Sequence, residues 1–428
     1  MYDFKMNLNE DEISILKGEK GETLAKVMKT IVMYGDTFGA DRLVPVSGEY
    51  GHLVTSFGLS MMKPVYNLMR ELLEEGICSK QKFTVDPRPV DKVNVPAGFL
   101  KNLVFKYMYS KQNDYEDQLK KMGLMTEDGF TCTCYMEELG NIPQKGEVIS
   151  WAESSAVVYA NSVLGARCNR NSGIIELFGS ILGKVPNFGL LTDEGRKATW
   201  VIEVKTDMLP EAQVIGSAIG MKVMEDVPYI KGLEKHLGND LNNRVRDYLK
   251  DMGAATASNG AVGLYHVEGI TPEAVEQGES LIKETHQTYV IDESELIRIK
   301  DSYKVMWKDK SARPEMCFIG CPHLSLQQLE EWVENIEKRL HIHKNNRVSV
   351  PTVLTTSPSV LKEFKKSPHF SKLETMGVGL SYICPLMYMN NPLCAKMPVI
   401  TNSNKLRTYT TSRYYTDHEI LDQITRRH

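Results

Sequence analysis

The sequence lacks the features that mark membrane, secreted and nucleic-acid-binding proteins. No apolar run approaches the roughly 20 residues needed to span a bilayer, and the first residues lack the basic and apolar regions of a signal peptide. Basic residues are not in excess, because 51 Lys and Arg face 55 Asp and Glu, for a formal charge of −4. This balance gives no electrostatic attraction for nucleic acid. We therefore expect a cytoplasmic protein that binds neither membranes nor nucleic acids.

Paired cysteine motifs are also missing. None of the eight cysteines belongs to a Cys-x-x-Cys pair, and Cys132-x-Cys134 is not a specific metal motif. Eight cysteines spread over 428 residues without a signal peptide do not indicate a disulfide framework. Metal binding or catalysis therefore gains weight, although a single free cysteine is more often a small buried hydrophobe. Local context has to decide between these two interpretations.

What the sequence does contain is a repeated alternation of helical, extended and loop segments, which is typical of α/β proteins. A chain of this length exceeds a single core, so two or three domains are expected. The polar segment 301–314 loses periodicity and is a candidate boundary. We predict an N-terminal α/β segment, a central α/β domain and a C-terminal α/β domain, covering residues 1–125, 126–300 and 301–428.

Several local predictions bear on a site. Residues 152–164 are nearly uncharged and predict one helix, which would deliver the following arginines into a loop. A buried strand at 317–319 is expected to end in a Gly-Cys-Pro-His loop, after which Ser325 caps a helix. Residues 48–52 are expected to form the loop after a short strand. His52 is therefore a candidate site residue, although surface histidines in loops are common.

Cys132, Cys321 and Cys384 share one feature, since each follows a short extended segment and is predicted to lie in a loop. Loops at the carboxyl ends of strands can converge on one cleft in α/β proteins. Three thiolates would suit an iron–sulfur cluster with an open iron position, or a zinc ion with one open position. The spacing alone is a weak signal and leaves a zinc hydrolase open as an alternative.

Five longer motifs stand out in the sequence. They are Thr-Cys-Thr-x-Tyr at 131–135, Gly-Asn-Ile-Pro at 140–143, the segment 151–170, Gly-Cys-Pro-His at 320–323 and Thr-Asn-Ser-x-Lys at 401–405. Together they resemble the motifs of the aconitase X family, a branch of the aconitase superfamily. The resemblance implies an aconitase-like, multi-domain α/β fold with three-layer α/β/α domains around a central cluster-binding cleft. It also implies a hydro-lyase with an iron–sulfur cluster and a separate small swivel-domain subunit. Known members dehydrate cis-3-hydroxy-L-proline or mevalonate 5-phosphate, so a small hydroxy acid is the expected substrate.

The resemblance also implies residue roles. Cys132, Cys321 and Cys384 are the expected cluster ligands, and Glu153, Ser403 and Lys405 the expected catalytic residues. Arg167 and Arg170 are expected to bind the anionic group of the substrate, because the planar guanidinium suits carboxylate and phosphate. Asn161 and Ser162 can equally be packing residues, and a lysine such as Lys405 is ordinarily a solvated surface residue. The other expected substrate-binding residues, besides His52, are Ser154, Ser155, Asn169, His323, Thr401 and Asn402.

The sequence departs from the family pattern at a few positions near these motifs. Tyr382-Ile383 stands where Asp-Thr is usual before the cysteine, Asn404 replaces a glycine, and Cys134 and Cys168 replace proline and threonine. An altered homologue that serves as a binding or regulatory subunit is therefore the second hypothesis. In the dehydratase hypothesis an open iron acts as a Lewis acid toward the leaving hydroxyl, while a base, on this chain or on the small subunit, removes a proton from the neighbouring carbon.

Overall fold

The architecture rests on two larger parallel sheets and two small ones. The structure, a computed structural model, describes residues 4–95 and 97–426. A five-stranded sheet and a four-stranded sheet are parallel throughout, one two-stranded sheet is parallel, and one is antiparallel. Within the described residues no helix is long and apolar enough to cross a membrane. The α/β fold class is thus confirmed, whereas the division at residues 125/126 and 300/301 stays a prediction.

The first part of the chain surrounds the small parallel sheet β2–β3 with helices. Isolated bridges extend this sheet on both sides, from His52 to Trp151 and from Val85 to Phe130, also in parallel. Its elements are α1 Glu10–Leu16, α2 Glu22–Thr37, β1 Leu43–Pro45, β2 Tyr50–Leu53, α3 Lys63–Glu74, β3 Lys82–Val85, α4 Phe99–Met108, α5 Gln112–Met122, α6 Ser154–Tyr159, a π-helix Ala160–Leu164, α7 Gly173–Leu182, β4 Lys184–Pro186, and 3-10 turns Gly189–Leu191 and Glu194–Arg196.

The middle part holds the four-stranded sheet, in the order β7-β6-β5-β8. Helix α10 packs closely against α8, where glycines 216 and 220 leave no room for a side chain. Its elements are β5 Ala198–Val204, α8 Ala212–Val223, β6 Pro228–Lys231, α9 Glu234–Leu237, α10 Asn243–Asn259, β7 His266–Val267, α11 Pro272–Gln277, a 3-10 turn Gly278–Leu281, β8 Ile282–Ile291 and α12 Glu293–Asp301.

The last part holds the five-stranded sheet, in the order β11-β10-β9-β12-β13. The chain moves outward from β9 in one direction and then returns to the other side at β12, so the switch point lies between these two strands. Its elements are β9 Met316–Leu324, α13 Leu326–Ile342, β10 Thr352–Thr356, α14 Pro358–Phe364, α15 Pro368–Thr375, β11 Val378–Ser381, α16 Pro385–Met389, a 3-10 turn Cys394–Lys396, β12 Val399–Thr401, α17 Asn404–Tyr409, β13 Arg413–Tyr414 and α18 Asp417–Thr425.

Three local predictions need correction. Residues 152–164 do not form one helix, because Glu153 has a positive φ of 85° and α6 begins only after it. Strand β9 does not end before Cys321 but continues through it to Leu324, with an irregular register opposite β10. His52 is in strand β2, not in a loop, and is fully buried. The cap at Ser325 is confirmed, since its side chain and Gln328 form a reciprocal capping box.

Candidate active site

The carboxyl ends of parallel strands from the first and last parts of the chain meet at one cavity of about 280 Å³. From the first part come Asp86, directly after β3, and Glu153, two residues after the bridge at Trp151. From the last part come residues of β9 and Lys405 of α17, the helix after β12, on either side of the switch point. Open α/β sheets bind ligands at this place because strand-end loops and helix N-termini converge there. The cavity is therefore the candidate active site.

All three predicted ligand cysteines line this cavity. Cys132 lies two residues beyond the bridge at Phe130, Cys321 is in β9, and Cys384 caps α16. The amide of His323 donates to Sγ of Cys132 at 3.5 Å, and the amide of Cys384 donates to the Arg88 carbonyl at 2.9 Å. Burial raises the pKa of each thiol. Within the described part of the chain, no three His, Cys, Asp or Glu side chains form a site for a single metal ion.

The extra cysteines of the central motif are not at the cavity. Cys134 and Cys168 are fully buried and neither lines it. The Cys168 thiol donates to the carbonyls of Trp151, at 3.4 Å, and Asn169, at 3.2 Å. The departures from the family pattern at these two positions therefore leave the set of cavity thiols unchanged.

A buried ion pair forms the opposite wall. Lys405 Nζ donates to Glu153 Oε1, and it donates to Ser155 Oγ at 3.3 Å. Glu153 Oε2 also accepts from the Ala156 amide at 2.8 Å and from Ser155 Oγ at 2.5 Å. Burial alone would raise the pKa of Glu153, but Lys405 and these donors lower it to about 2. Glu153 is thus held ionised, and its carboxylate fixes the position of the Lys405 ammonium.

Backbone geometry explains how Glu153 reaches this position. Its φ of 85° lies in the left-handed region, where a residue with a Cβ is strained by about 1–3 kcal/mol. This turn places the carboxylate over the N-terminus of α6, whose amide it caps. On the other side, Ser403 caps α17 and donates its hydroxyl to the Cys321 carbonyl. Through these two contacts Ser403 fixes the positions of Lys405 and Cys321.

Sequence reasoning missed one carboxylate of the cavity. Asp86 lines it with a side chain that is 12% exposed, and Oδ1 has no hydrogen-bond partner among the described residues. Burial raises the pKa of Asp86 to about 6. His52 stands behind it, with Nε2 3.7 Å from that oxygen and Nδ1 2.8 Å from Thr84 Oγ1. The signal that would have found Asp86 is its place at the carboxyl end of a buried strand, where open α/β sheets bind ligands.

His323 lines the cavity, but both of its ring nitrogens are occupied. Nε2 lies 3.0 Å from the Ile383 carbonyl and Nδ1 3.0 Å from the Thr131 hydroxyl. Burial lowers the pKa of His323 to about 4, so the ring is neutral and donates to the carbonyl while it accepts from the hydroxyl. Because residues 131 and 383 directly precede two of the cysteines, His323 holds their loops in place. His323 therefore has a positioning role, and its contact with substrate stays a prediction.

The two arginines have different surroundings. Arg167 donates to the Leu191 carbonyl at 2.8 Å and pairs with Asp193. Arg170 is half-buried and has neither a hydrogen bond nor an ion pair within the described residues. It lines an adjoining cleft of about 380 Å³, which shares Glu153 and Ser154 with the cysteine cavity. Arg170 is thus available to bind an anion at the site, whereas the Arg167 guanidinium is already bonded to Leu191 and Asp193.

Other predicted substrate-binding residues are not brought to the cavity. Asn161 bonds the backbone of Cys168 and the Gly263 carbonyl, and Ser162 accepts from the Tyr265 amide at 2.9 Å. Asn169 bonds the 188–190 turn instead. Among the residues of the last loop, Thr401 accepts from the Ser403 amide, and Asn402 donates to Asp417. These side chains support the framework. Ser154 lines the cavity, and Ser155 contacts it through Glu153 and Lys405.

One buried carboxyl group links the two segments that supply Glu153 and Arg170. Glu176 accepts from Ser150 Oγ and from Asn171 Nδ2, both at 2.6 Å. Burial raises the pKa of Glu176 to about 8, well above the unfolded value near 4.3. The folded protein therefore binds an extra proton between these values. Its contribution to stability is complete below about pH 4.3 and is lost as the pH rises through 8.

We expect Glu176→Gln to abolish this pH dependence. In urea unfolding at a series of pH values, the midpoint of the variant should rise relative to that of the original chain between about pH 4.3 and 8 and then stay level. The exposed Glu284→Gln provides the control and should leave the profile unchanged. An identical pH profile for Glu176→Gln and the original chain would contradict the assignment.

Comparison with known proteins agrees with this architecture. Family models for the first, second and third domains of aconitase X match residues 5–194, 198–301 and 314–421. The chain belongs to the aconitase X family. The crystal structure of Thermococcus kodakaraensis aconitase X in its holo-form has a TM-score of 0.81 and 30% identity, and covers 98% of this chain and 100% of that one.

Named relatives are all dehydratases. The phosphomevalonate dehydratase large subunit of Thermococcus kodakarensis is 33% identical over 359 residues, 83% of this chain and 82% of that protein. The cis-3-hydroxy-L-proline dehydratase of Pseudomonas aeruginosa is 25% identical over 92% of this chain, but only 65% of its own length is matched. The expected enzyme class is confirmed: this chain is a dehydratase of the aconitase X type, that is, a hydro-lyase.

Proposed function

We propose that the chain is the large subunit of an iron–sulfur dehydratase that removes water from a small anionic hydroxy acid, with a separate small subunit completing the enzyme. One observation carries the proposal. The buried thiols of Cys132 and Cys321 and the partly buried thiol of Cys384 line one cavity together with a fixed lysine ammonium. An adjoining cleft that shares Glu153 and Ser154 with this cavity holds Arg170, which has no ion pair within the described residues. Thiols, a carboxylate that can exchange a proton and an anion-binding group are the parts that a dehydration site needs.

The donor set fits an iron–sulfur cluster. Thiolates are the ligands of such clusters, and hydrogen bonds to their sulfurs are part of the tuning of these sites. Cys132 accepts a bond of this kind from the His323 amide. Three protein ligands would leave one iron position open to substrate. When bound, the cluster supplies Lewis-acid activation of the leaving hydroxyl.

The residues of this chain divide the remaining tasks. Lys405, held by Glu153, presents a positive charge to the substrate, and Arg170 binds its distal anionic group. Asp86 faces the cavity with its Oδ1 free of hydrogen bonds among the described residues and His52 Nε2 3.7 Å behind it, and its pKa of about 6 allows it to hold or release a proton near neutrality. Glu153 and Asp86 therefore have opposite roles, because one is locked in its ionised form and the other is free to exchange a proton.

Mevalonate 5-phosphate is the substrate that we propose first. Relatives named phosphomevalonate dehydratase large subunit reach 33% identity, against 25% for the hydroxyproline dehydratase of Pseudomonas aeruginosa. A free guanidinium also suits a phosphate, which it can bind with two parallel hydrogen bonds.

The test is to produce the chain together with its small subunit under anaerobic conditions. We expect brown protein with stoichiometric iron and sulfide, and conversion of mevalonate 5-phosphate to a dehydrated product. Turnover of cis-3-hydroxy-L-proline instead would retain the enzyme class and change the substrate. Colourless, iron-free protein that still dehydrates its substrate, or an iron–sulfur protein that turns over neither compound, would refute the proposal.

The two arginines give a sharper prediction. Arg170→Ala should raise KM for the anionic substrate by about 10- to 100-fold, the equivalent of a lost charged hydrogen bond, with a smaller effect on kcat. Arg167→Ala should change KM by less than about threefold, because that side chain is already paired with Asp193. Arg170→Lys, which keeps the charge and loses the fork, should lie between them. Steady-state kinetics of the three variants measure these changes in KM. Equal effects at Arg167 and Arg170 would contradict the assignment of Arg170 as the anion-binding residue.

A further inference from the structure

Helix α4 carries an apolar face that nothing in the described part of the chain covers. Phe99 and Tyr107 are 82% and 78% exposed, with Leu100 and Leu103 more than half exposed between them. At 100° per residue these four positions fall within one face about 100° wide. Other exposed large apolar residues lie singly or in pairs such as Met208 and Leu209, which is ordinary, whereas a four-residue apolar stripe along one helix face marks an interaction surface. We call these four residues the α4 stripe.

The inner face of α4 is tied to the segment that follows Cys384. Phe105 is buried against Tyr388, and the Tyr109 hydroxyl after the helix donates to the Met387 carbonyl at 2.8 Å. The Asn391 side chain donates to the Lys101 carbonyl at 3.1 Å. The α4 helix is therefore rigidly placed, and its stripe is a preformed surface.

The segment that leads into α4 also contacts the cavity. It begins at Asp86 in the cavity wall, and the Arg88 carbonyl accepts from the amide of Cys384. Asp91 then accepts from the Ser381 hydroxyl at 2.8 Å. A partner seated on the α4 stripe would therefore touch the same segment that supplies Asp86 and supports Cys384.

Charge specifies the partner further. Lys106, in the last turn of α4, is exposed beside the stripe and has no acidic partner among the described residues. A complementary surface would carry an apolar patch with acidic side chains at its edge. The relatives also indicate what kind of chain supplies it. Those of similar length are named large subunits, whereas the Pseudomonas aeruginosa enzyme has about a third of its length beyond the match.

We propose that the α4 stripe is the docking surface for the small subunit of this enzyme, through an apolar patch with an acidic edge. This inference rests on the proposed two-subunit function and adds the place of contact. Docking there puts the small subunit beside the Asp86 wall, where it can contribute a catalytic group to the cavity. The stripe, and not the cavity itself, supplies the anchoring apolar area.

The experiment uses the purified large chain and the small subunit encoded in the same genome. Leu103→Asp combined with Tyr107→Asp should raise the Kd of the pair at least tenfold, and Lys106→Glu should raise it by about three- to tenfold. Both changes are at exposed positions, so the variants should fold and keep the iron–sulfur absorption of the original chain. The control is Val275→Asp combined with Ile297→Asp, two exposed apolar positions on other helices, which should bind as the original does.

The outcomes separate the two proposals. Unchanged binding by the stripe variants, with the original chain binding well, would overturn the docking surface and leave the proposed function intact. Failure of the original chain to bind any small subunit would refute the two-subunit function itself. If sedimentation shows that the stripe variants dissociate a homodimer of the large chain, the occupant is a second copy and the docking proposal is wrong.

Discussion

Replacing Cys321 with serine should give a colourless protein that binds little iron and has lost more than about a hundredfold in activity. Cys321 is one of three thiols at the cavity. Removing a metal ligand should lower activity more than removing a residue that only orients a ligand, for which a 10- to 100-fold loss of metal affinity or activity is typical. The measurements are iron and sulfide content, visible absorption and turnover after anaerobic purification with the small subunit.

Cys78→Ser is the matched control, because Cys78 is exposed and lies outside the cavity. It should retain colour and activity. Circular dichroism and urea unfolding of Cys321→Ser should match the metal-free original, which separates cluster loss from misfolding. Full cluster content in Cys321→Ser would contradict the assignment of this thiol as a ligand.

The second large effect is expected from the Lys405–Glu153 pair. Lys405→Met would leave the Glu153 carboxylate buried without its cation, and breaking a buried pair in this way costs about 3–5 kcal/mol of unfolding free energy. Activity should fall by roughly 10²- to 10⁴-fold, as when a positioned catalytic group is removed. Urea unfolding and steady-state kinetics measure the two effects separately.

The double variant Lys405→Met with Glu153→Gln separates stability from catalysis. Removing both charges should recover most of the lost stability, because no unpaired ion remains buried. Activity should stay low, since the positive charge at the cavity is still missing. Recovery of activity together with stability would show that the pair is only structural, and Lys405 would then have no role in the reaction.

Much of the fold could be predicted because hydrophobic patterns and caps are local. The alternation of helices and strands, the Ser325 cap and most helix positions follow from residues that are near neighbours in sequence. Strand β8 was missed because most of its residues are exposed at the edge of the sheet, so their polar composition resembles a loop. The helix predicted from residue 152 was wrong at its start. Glu153 has a positive φ, and a glutamate in the sequence does not indicate such a backbone conformation.

The site was predictable in its residue types and less so in its pairings. The three cysteines, Glu153 and Lys405 were all expected, but the contact between the last two joins residues 252 apart. No local pattern specifies such a contact. A motif also mixes residues that touch a ligand with residues that hold those in place. Asn161 and Ser162 bond the backbone of neighbouring segments. Their position within a predicted helix could not distinguish such a packing role from substrate contact.

The departures from the family pattern do not favour the regulatory hypothesis. Asn404 replaces a glycine, yet its side chain donates to the Gln213 carbonyl and the Tyr303 hydroxyl and accepts from Arg407. Ile383 uses its carbonyl, which any residue supplies, to bind His323. Because these substitutions are absorbed by the framework, the groups that face the cavity remain those that a dehydratase requires.

The placement of the thiols has a consequence for how the protein matures. Cys132 belongs to the first part of the chain and Cys321 to the last, with roughly 190 residues between them. The chain must therefore be synthesised to residue 321, about three quarters of its length, before both thiols are available to the proposed cluster. The proposed cluster would close a loop of this length, so its binding should raise the melting temperature of the chain, and its oxidative loss should lower that temperature.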